Sequence, residues 1–127
     1  DDLSDKLIGV QQGTTGDIYC SDTPEKGGYG EDHVVAYQNG ASAVQALKTG
    51  KVDAVVIDNE VAKSLSEKQA GKTVVLAEAL TKENYAIATK KGNTELVNKI
   101  NKALDELKSE GKLAEIFAKY DLPYDAE

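Results

Sequence analysis

The sequence predicts an α/β fold, a three-layer sandwich in which a mostly parallel, five-stranded sheet carries helices on both faces. Short β-branched, apolar runs alternate along the chain with segments whose apolar residues recur at helical spacing. Helical crossovers between parallel strands are right-handed and cover such a sheet on both sides. A length of 127 residues suits one domain, and 40% hydrophobic with 29% charged residues is an ordinary globular composition.

Three strand–helix units open the predicted fold. The first joins an apolar run at residues 6–10 to a short helix at residues 17–21. The second joins residues 33–37 to a helix that ends near Gly50, and the third joins residues 53–57 to a helix that ends near Gly71. We expect these three strands to lie in the order 2-1-3.

Two further strands complete the predicted sheet, at residues 73–76 and 84–89. The segment between them is too short for a helical crossover, so we expect the fifth strand to run antiparallel to part of the sheet.

The remaining chain is predicted to be helical. Leu96, Ile100 and Leu104 belong to an apolar stripe that begins after Asn93 or Thr94 and ends at Gly111. A shorter helix continues to Tyr120, where Pro123 limits it. We therefore divide the chain into an α/β lobe, residues 1–92, and a C-terminal helical segment, residues 93–127.

Charge and reactive side chains argue against several kinds of function. The fifteen basic residues are all lysines, against 22 acidic residues, and the net charge of −7 disfavours nucleic-acid binding. One cysteine, Cys20, and one histidine, His33, form neither a disulfide nor a metal cluster, and we expect Cys20 to be a small, half-buried packing residue. We predict no catalytic residue, no metal and no cofactor.

Targeting segments are also not evident. No apolar run approaches the roughly 18 residues that a membrane span needs. The acidic start of the chain is unlike a secretory signal, so we expect that any such signal is absent from this chain.

Polar residues follow the first and third predicted strands. Gln11-Gln12-Gly13-Thr14-Thr15 comes after the first strand and Asp58 after the third. Ligands of parallel α/β sheets bind beyond the carboxyl ends of the strands, where the strand order reverses. Backbone N–H groups and hydroxyls at the turn favour an anion, and the Asp58 carboxylate favours an ammonium group.

A free α-amino acid carries both charges and is the ligand that this pair of features predicts. A phosphate would match the turn but be repelled by Asp58. Taken singly, the Gly-Thr-Thr-Gly turn and Asp58 are each at least as typical of a helix cap as of a binding site. Their placement at the same edge of the sheet is what favours a binding site.

Residues 6–17, KLIGVQQGTTGD, and residues 43–58, AVQALKTGKVDAVVID, resemble the polar amino-acid-binding proteins of ABC importers, within the type II periplasmic binding proteins. The resemblance continues through residues 84–88 and 93–120. It implies a non-catalytic protein, periplasmic or attached to the cell surface, that closes around a hinge on an amino acid and delivers it to an ABC-transporter permease.

The resemblance also implies roles for the residues of the turn. Thr14 and Thr15, beside Gly13, would hold the α-carboxylate, Asp58 the α-ammonium group, and Gln11 would face the ligand side chain with Gln12 next to it. Such proteins have two lobes. The chain looks like the second lobe with its C-terminal segment, and the first lobe normally supplies a carboxylate-clamping arginine, which this chain lacks.

The resemblance leaves ligand and assembly open. Gln11 and Asp58 suit glutamine, another neutral polar amino acid or a cationic one. The C-terminal helices would normally pack on the absent lobe, so we expect them to fold back on this lobe or to pair, or swap, in a homodimer.

Three other functions share features with this sequence. A sensor or regulatory module of a larger protein would have the same fold. A phospho-receiver domain needs an acidic pair where Gln11 and Gln12 stand. An enzyme related to these receptors needs an acid–base partner beside Asp58, which the sequence does not place there.

Overall fold

The computed structural model describes residues 3–120, 122 and 124. The chain divides into two units, Asp1–Lys82 and Glu83–Glu127. The first unit contains the sheet. No described helix has both the length and the apolar character that crossing a membrane requires.

A three-stranded parallel sheet is the centre of the first unit. Its strands are β1 (Ile8–Gln11), β2 (Val34–Tyr37) and β3 (Ala54–Val56), in the order β2-β1-β3. The predicted order 2-1-3 is therefore confirmed. Ile8, Gly9 and Val10 are all buried, as expected for a central strand that is covered on both faces.

Three helices alternate with these strands: α1 (Thr15–Ser21), α2 (Gly40–Lys48) and α3 (Asn59–Glu67). Right-handed crossovers in this strand order place α1 and α2 on opposite faces. Cys20 of α1 packs with Ile8, Val10 and Tyr29 on one face. Gly9 faces the other way, because a Cβ built on it would lie 3.2 Å from a methyl group of Val52. The prediction of helices on both faces of a parallel sheet is confirmed.

The predicted fourth and fifth strands are not formed, and the described residues contain neither a five-stranded sheet nor an antiparallel strand. Residues 74–76 and 81–90 are neither helix nor strand. Thr73 is held by α3 instead, since the Ser66 hydroxyl donates to its carbonyl oxygen at 3.1 Å. Val74 is 80% exposed and Tyr85 is 83% exposed. β-Branched composition indicates strand propensity, but a strand also needs a neighbour to hydrogen-bond with and a surface to cover.

The second unit is helical. After the irregular residues 83–93 it contains α4 (Thr94–Ser109) and α5 (Lys112–Lys119), which contact each other. The Asn93 side chain caps α4 by accepting from the Leu96 N–H at 3.2 Å, and Gly111 separates the helices with a φ of 72°. Both predicted helices are confirmed, whereas Pro123 lies outside the described residues.

Apolar residues of these two helices remain partly exposed. Leu96 is 42% exposed and Ile116 is 43% exposed. No described residue from 83 onward is fully buried. The expectation that the C-terminal helices fold back on this lobe, or pair or swap in a homodimer, stays a prediction.

Candidate functional site

A four-residue turn leads from β1 towards α1. Gln11 is the last residue of β1, and the Gln12 N–H extends the ladder by donating to the Tyr37 carbonyl oxygen at 2.8 Å. The Thr14 N–H donates back to the Gln11 carbonyl oxygen at 3.3 Å and closes the turn. Gly13 has a φ of 74°, a conformation that glycine adopts without strain. The glycine of the predicted motif is thus required by the backbone.

Thr14 is the N-cap of α1, and its hydroxyl is engaged on both sides. Its Oγ1 accepts from the Asp17 N–H at 3.4 Å and donates to the Gln11 carbonyl oxygen at 2.8 Å. A hydroxyl has one proton to donate. The hydroxyl proton of Thr14 is therefore used in a hydrogen bond within the turn.

Thr15 differs from Thr14 although the two are adjacent. It is the first residue of α1 and is exposed. Within the described part of the chain, its hydroxyl, its N–H and the N–H of Gly16 have no hydrogen-bond partner. The first N–H groups of a helix lack acceptors inside the helix. Three donors of the turn are thus available to a ligand.

Asp58 follows β3 and is the N-cap of α3. Its Oδ1 accepts from the Glu60 N–H at 3.1 Å, and its carbonyl oxygen accepts from the Ala62 N–H at 2.9 Å. The residue is exposed. It therefore presents a negative charge at the carboxyl end of β3 while it caps a helix.

The start of α1 lies against the end of β3. A Cβ built on Gly16 would come within 3.1 Å of the Val56 carbonyl oxygen. Val10 of β1 is paired with the same Val56. This packing places the turn from Gln11 to Thr15 and the residue Asp58 at one edge of the sheet.

Asp17 and Asn39 also belong to this edge, and the sequence interpretation assigned neither of them a role. Asp17 Oδ2 accepts from the Gly13 N–H at 2.8 Å. Asn39 follows β2 and caps α2 by accepting from the Ser42 N–H at 2.9 Å. The spacing of Asp17 three residues after the capping Thr14, close to that of a capping box, was the signal that could have identified it.

Cys20 lies beneath this edge, in the core. It is fully buried, not half-buried as predicted. Burial, together with the nearby Asp17 carboxylate, raises the pKa of the Cys20 thiol to about 11. A thiol with this pKa is protonated at neutral pH and is a poor nucleophile. No group of three or more potential metal ligands occurs among the described residues.

Comparison with known proteins identifies the family. Residues 30–123 match the bacterial extracellular solute-binding proteins, family 3. The chain belongs to this family. The predicted resemblance to amino-acid-binding proteins of ABC importers is thereby confirmed.

Several curated relatives are named as amino-acid-binding proteins. The L-arginine-binding protein of Pseudomonas aeruginosa is 35% identical over 126 residues, which cover 94% of this chain and 48% of that protein. The ABC transporter glutamine-binding protein GlnH of Bacillus subtilis is 30% identical over 115 residues, which cover 91% of this chain and 40% of that protein.

A solved structure agrees in fold. An ancestral arginine-binding protein bound to arginine superposes with a TM-score of 0.74 at 39% identity, over 93% of this chain and 51% of that one. The chain therefore spans about half the length of the proteins it matches. Its relatives are binding proteins rather than enzymes.

Proposed function

We propose that this chain is the ligand-binding part of an extracytoplasmic solute-binding protein that takes up a polar amino acid for an ABC transporter. One observation carries the proposal: hydrogen-bond donors after β1 and a carboxylate after β3 occur at the same edge of the sheet in a member of this family. Opposite charges at one edge suit a zwitterion.

The α-carboxylate of the ligand is proposed to bind the donors at the start of α1. The Thr15 hydroxyl and the N–H groups of Thr15 and Gly16 support this role because no described residue occupies them. Thr14 and Gly13 contribute by shaping the turn, since their own donors are engaged. Asp58 binds the α-ammonium group, and Gln11 and Gln12 lie beside the ligand side chain.

The preferred ligand is neutral or cationic. Asp58 brings a negative charge to the proposed position, and the segment from Gln11 to Asp17 contains one acidic residue and no basic residue. A carboxylate on the ligand side chain would be repelled by this negative charge and would find no basic residue in the turn to pair with. Relatives named for arginine and for glutamine support the same choice.

The rest of the receptor is proposed to lie outside this chain. Relatives about twice as long support a further lobe, the first lobe of such receptors, that closes over the ligand and meets the permease. We propose residues 1–92 as the ligand-binding lobe. The partly exposed apolar residues of α4 and α5 support packing of residues 93–127 on that first lobe, or on a second copy of this chain.

The test is an NMR titration of the ¹⁵N-labelled 127-residue chain with arginine, glutamine and glutamate up to millimolar concentration. We expect arginine or glutamine, but not glutamate, to shift the amides of Thr15, Gly16 and Asp58. If none of the three ligands shifts these amides, the proposal is wrong for this chain.

Asp58→Asn removes the negative charge but keeps the cap of α3, because asparagine caps helices as well as aspartate does. We expect it to weaken binding about tenfold, the usual effect of losing a charged hydrogen-bond partner, and to leave stability unchanged. Asp22→Asn is the matched control, since Asp22 also accepts from a backbone N–H but lies at the far end of α1. Equal affinity in both variants would exclude Asp58 as the ammonium ligand.

A further inference from the structure

One side chain accepts a hydrogen bond from the central peptide group of the turn. The turn from Gln11 to Thr14 has a positive φ at its third residue, Gly13, and a φ that is not positive at Gln12. Turns of this kind differ from the commonest β-turn by a flip of the central peptide group. Here that group is the Gln12–Gly13 peptide, and its N–H donates to Asp17 Oδ2 at 2.8 Å.

Asp17 is itself fixed in place. Its second carboxylate oxygen, Oδ1, accepts from the Ser21 hydroxyl at 3.2 Å. Its backbone N–H donates to Thr14 Oγ1 at 3.4 Å. Both oxygens of the side chain are thus engaged, and hydrogen bonds to an ionised acceptor are among the stronger ones in proteins.

We propose that Asp17 is a positioning residue of the amino-acid site and that it acts through the Gln12–Gly13 peptide. Without its carboxylate the Gly13 N–H loses its acceptor, and the peptide can flip to the commoner turn. The flip would reverse the Gln12 carbonyl group and displace Gln12 and Thr15, which the proposed function places against the ligand. The binding half of this inference rests on that proposed function.

Helix capping alone does not account for the contact. Thr14 caps α1 with its own hydroxyl, and this cap does not involve the Asp17 side chain. The Asp17 carboxylate bonds Gly13, which precedes the cap and lies outside the helix. Stabilisation of α1 therefore does not require the hydrogen bond between Asp17 and the Gly13 N–H.

The experiment compares Asp17→Ala, Asp17→Asn and Asp22→Ala in the 127-residue chain. Asparagine keeps a side-chain oxygen that can accept from the Gly13 N–H, and alanine does not. Asp22→Ala removes another carboxylate that accepts from a backbone N–H, that of Thr23 at 2.8 Å, away from the turn.

Two quantities are measured by NMR: the hydrogen-exchange rate of the Gly13 amide and the affinity for arginine. We expect Asp17→Ala to accelerate exchange at Gly13 and to weaken arginine binding, each about tenfold, as for loss of a charged acceptor. We expect Asp17→Asn to restore most of both, and Asp22→Ala to change neither.

Several outcomes would overturn the inference. Unchanged exchange at Gly13 or unchanged arginine affinity in Asp17→Ala would do so. A loss of affinity that Asp17→Asn does not restore would also do so, because it would assign the effect to charge. If the wild-type chain binds no amino acid, the proposed function fails, and exchange at Gly13 still decides whether Asp17 holds the peptide.

A second variant covers the case in which Asp17→Ala does not fold. Ser21→Ala removes the hydroxyl that orients the carboxylate but leaves Asp17 in place. We expect exchange at Gly13 to accelerate about threefold, as for loss of a weaker, indirect hydrogen bond. Exchange equal to that of the wild type would contradict the proposed network.

Discussion

Each of the three strands is followed by a polar side chain that caps the next helix. Thr14, Asn39 and Asp58 accept backbone N–H groups at 3.4, 2.9 and 3.1 Å. Capping satisfies donors that the helix leaves without partners, and by itself it explains the presence of these residue types. At the scale of residues, Thr15 is informative because its hydroxyl caps nothing in the described part of the chain.

The two adjacent threonines are predicted to respond oppositely to substitution by valine. Thr14→Val removes the cap of α1 and should lower the free energy of unfolding by about 1 kcal/mol. Thr15 is exposed, so Thr15→Val should change the free energy of unfolding by less than about 0.5 kcal/mol. It should nevertheless weaken the binding of arginine or glutamine. Urea unfolding and the NMR titration measure the two effects. Wild-type affinity in Thr15→Val would contradict the assignment of its hydroxyl.

Cys20 is predicted to make stability depend on alkaline pH. Burial raises its pKa from 9.0 to about 11, so the folded chain holds the thiol proton more tightly than the unfolded chain does. This contribution is complete below about pH 9 and is lost as the pH rises towards about 11, with a size on the order of 2 kcal/mol.

The measurement is the free energy of unfolding between pH 8 and pH 11, in the wild type and in Cys20→Ala. Every other side chain is common to both proteins, so the difference between the two curves isolates the thiol. We also expect slow modification of the native thiol at pH 8 by an aromatic disulfide reagent. Rapid modification of the folded chain, or parallel stability curves, would show that the thiol is not buried as described.

At the scale of elements, the close approach of α1 to β3 brings the two halves of the candidate site to one edge. Gly16 allows this approach, because a Cβ there would lie 3.1 Å from a backbone oxygen of β3, and backbone cannot move aside as a side chain can. Gly40 occupies the first turn of α2, and a Cβ there would meet only side-chain atoms at 3.4 Å or more.

Alanine is therefore predicted to have opposite effects at these two helical glycines. Gly40→Ala should be neutral or stabilising by about 0.5–1 kcal/mol, since alanine favours helices over glycine. Gly16→Ala should lose this gain and destabilise the fold, because α1 must move away from β3. Thermal unfolding measures both, and amide shifts at Val56 report the displacement. Equal stabilisation by both substitutions would show that Gly16 is not needed for the packing.

The elements also show where sequence patterns fail. Residues 73–76 have the β-branched composition of a strand, as β1 and β2 do, but Thr73 is bonded to Ser66 of α3 and Val74 faces solvent. β1 is a strand because β2 and β3 supply its ladder on both sides. Composition reports propensity, whereas a strand partner is a property of the assembled sheet.

At the scale of the whole molecule, burial is concentrated in the first unit. Every fully buried hydrophobic residue among those described lies between Ile8 and Val52. The second unit consists of two helices whose apolar residues are partly exposed. The core that stabilises the sheet is thus provided by residues of the first unit.

Truncation after Lys82 is predicted to leave the first unit folded. Because no buried residue is removed from its core, we expect the melting temperature to change by less than roughly 5 °C, equivalent to about 1 kcal/mol for a domain of this size. Circular dichroism and the amide spectrum of residues 8–56 test this. Loss of the dispersed spectrum on truncation would show that the second unit is required for the fold.

The sequence by itself determined the strand–helix alternation, the strand order 2-1-3, the two C-terminal helices and the edge at which polar residues gather. The alternation, the helices and the polar edge follow from periodicity and capping chemistry, which act over a few neighbouring residues, whereas the strand order follows from the usual arrangement of parallel α/β sheets. The same local patterns identified Thr14 and Thr15 as site residues but did not distinguish their roles.

Only the tertiary structure decided that residues 73–76 and 84–89 form no strand, that the Thr14 proton is engaged, and that Asp17 holds Gly13. Each of these depends on the position of a hydrogen-bonding partner in three dimensions. Periodicity and composition indicate what a segment can do, and the availability of a partner decides what it does.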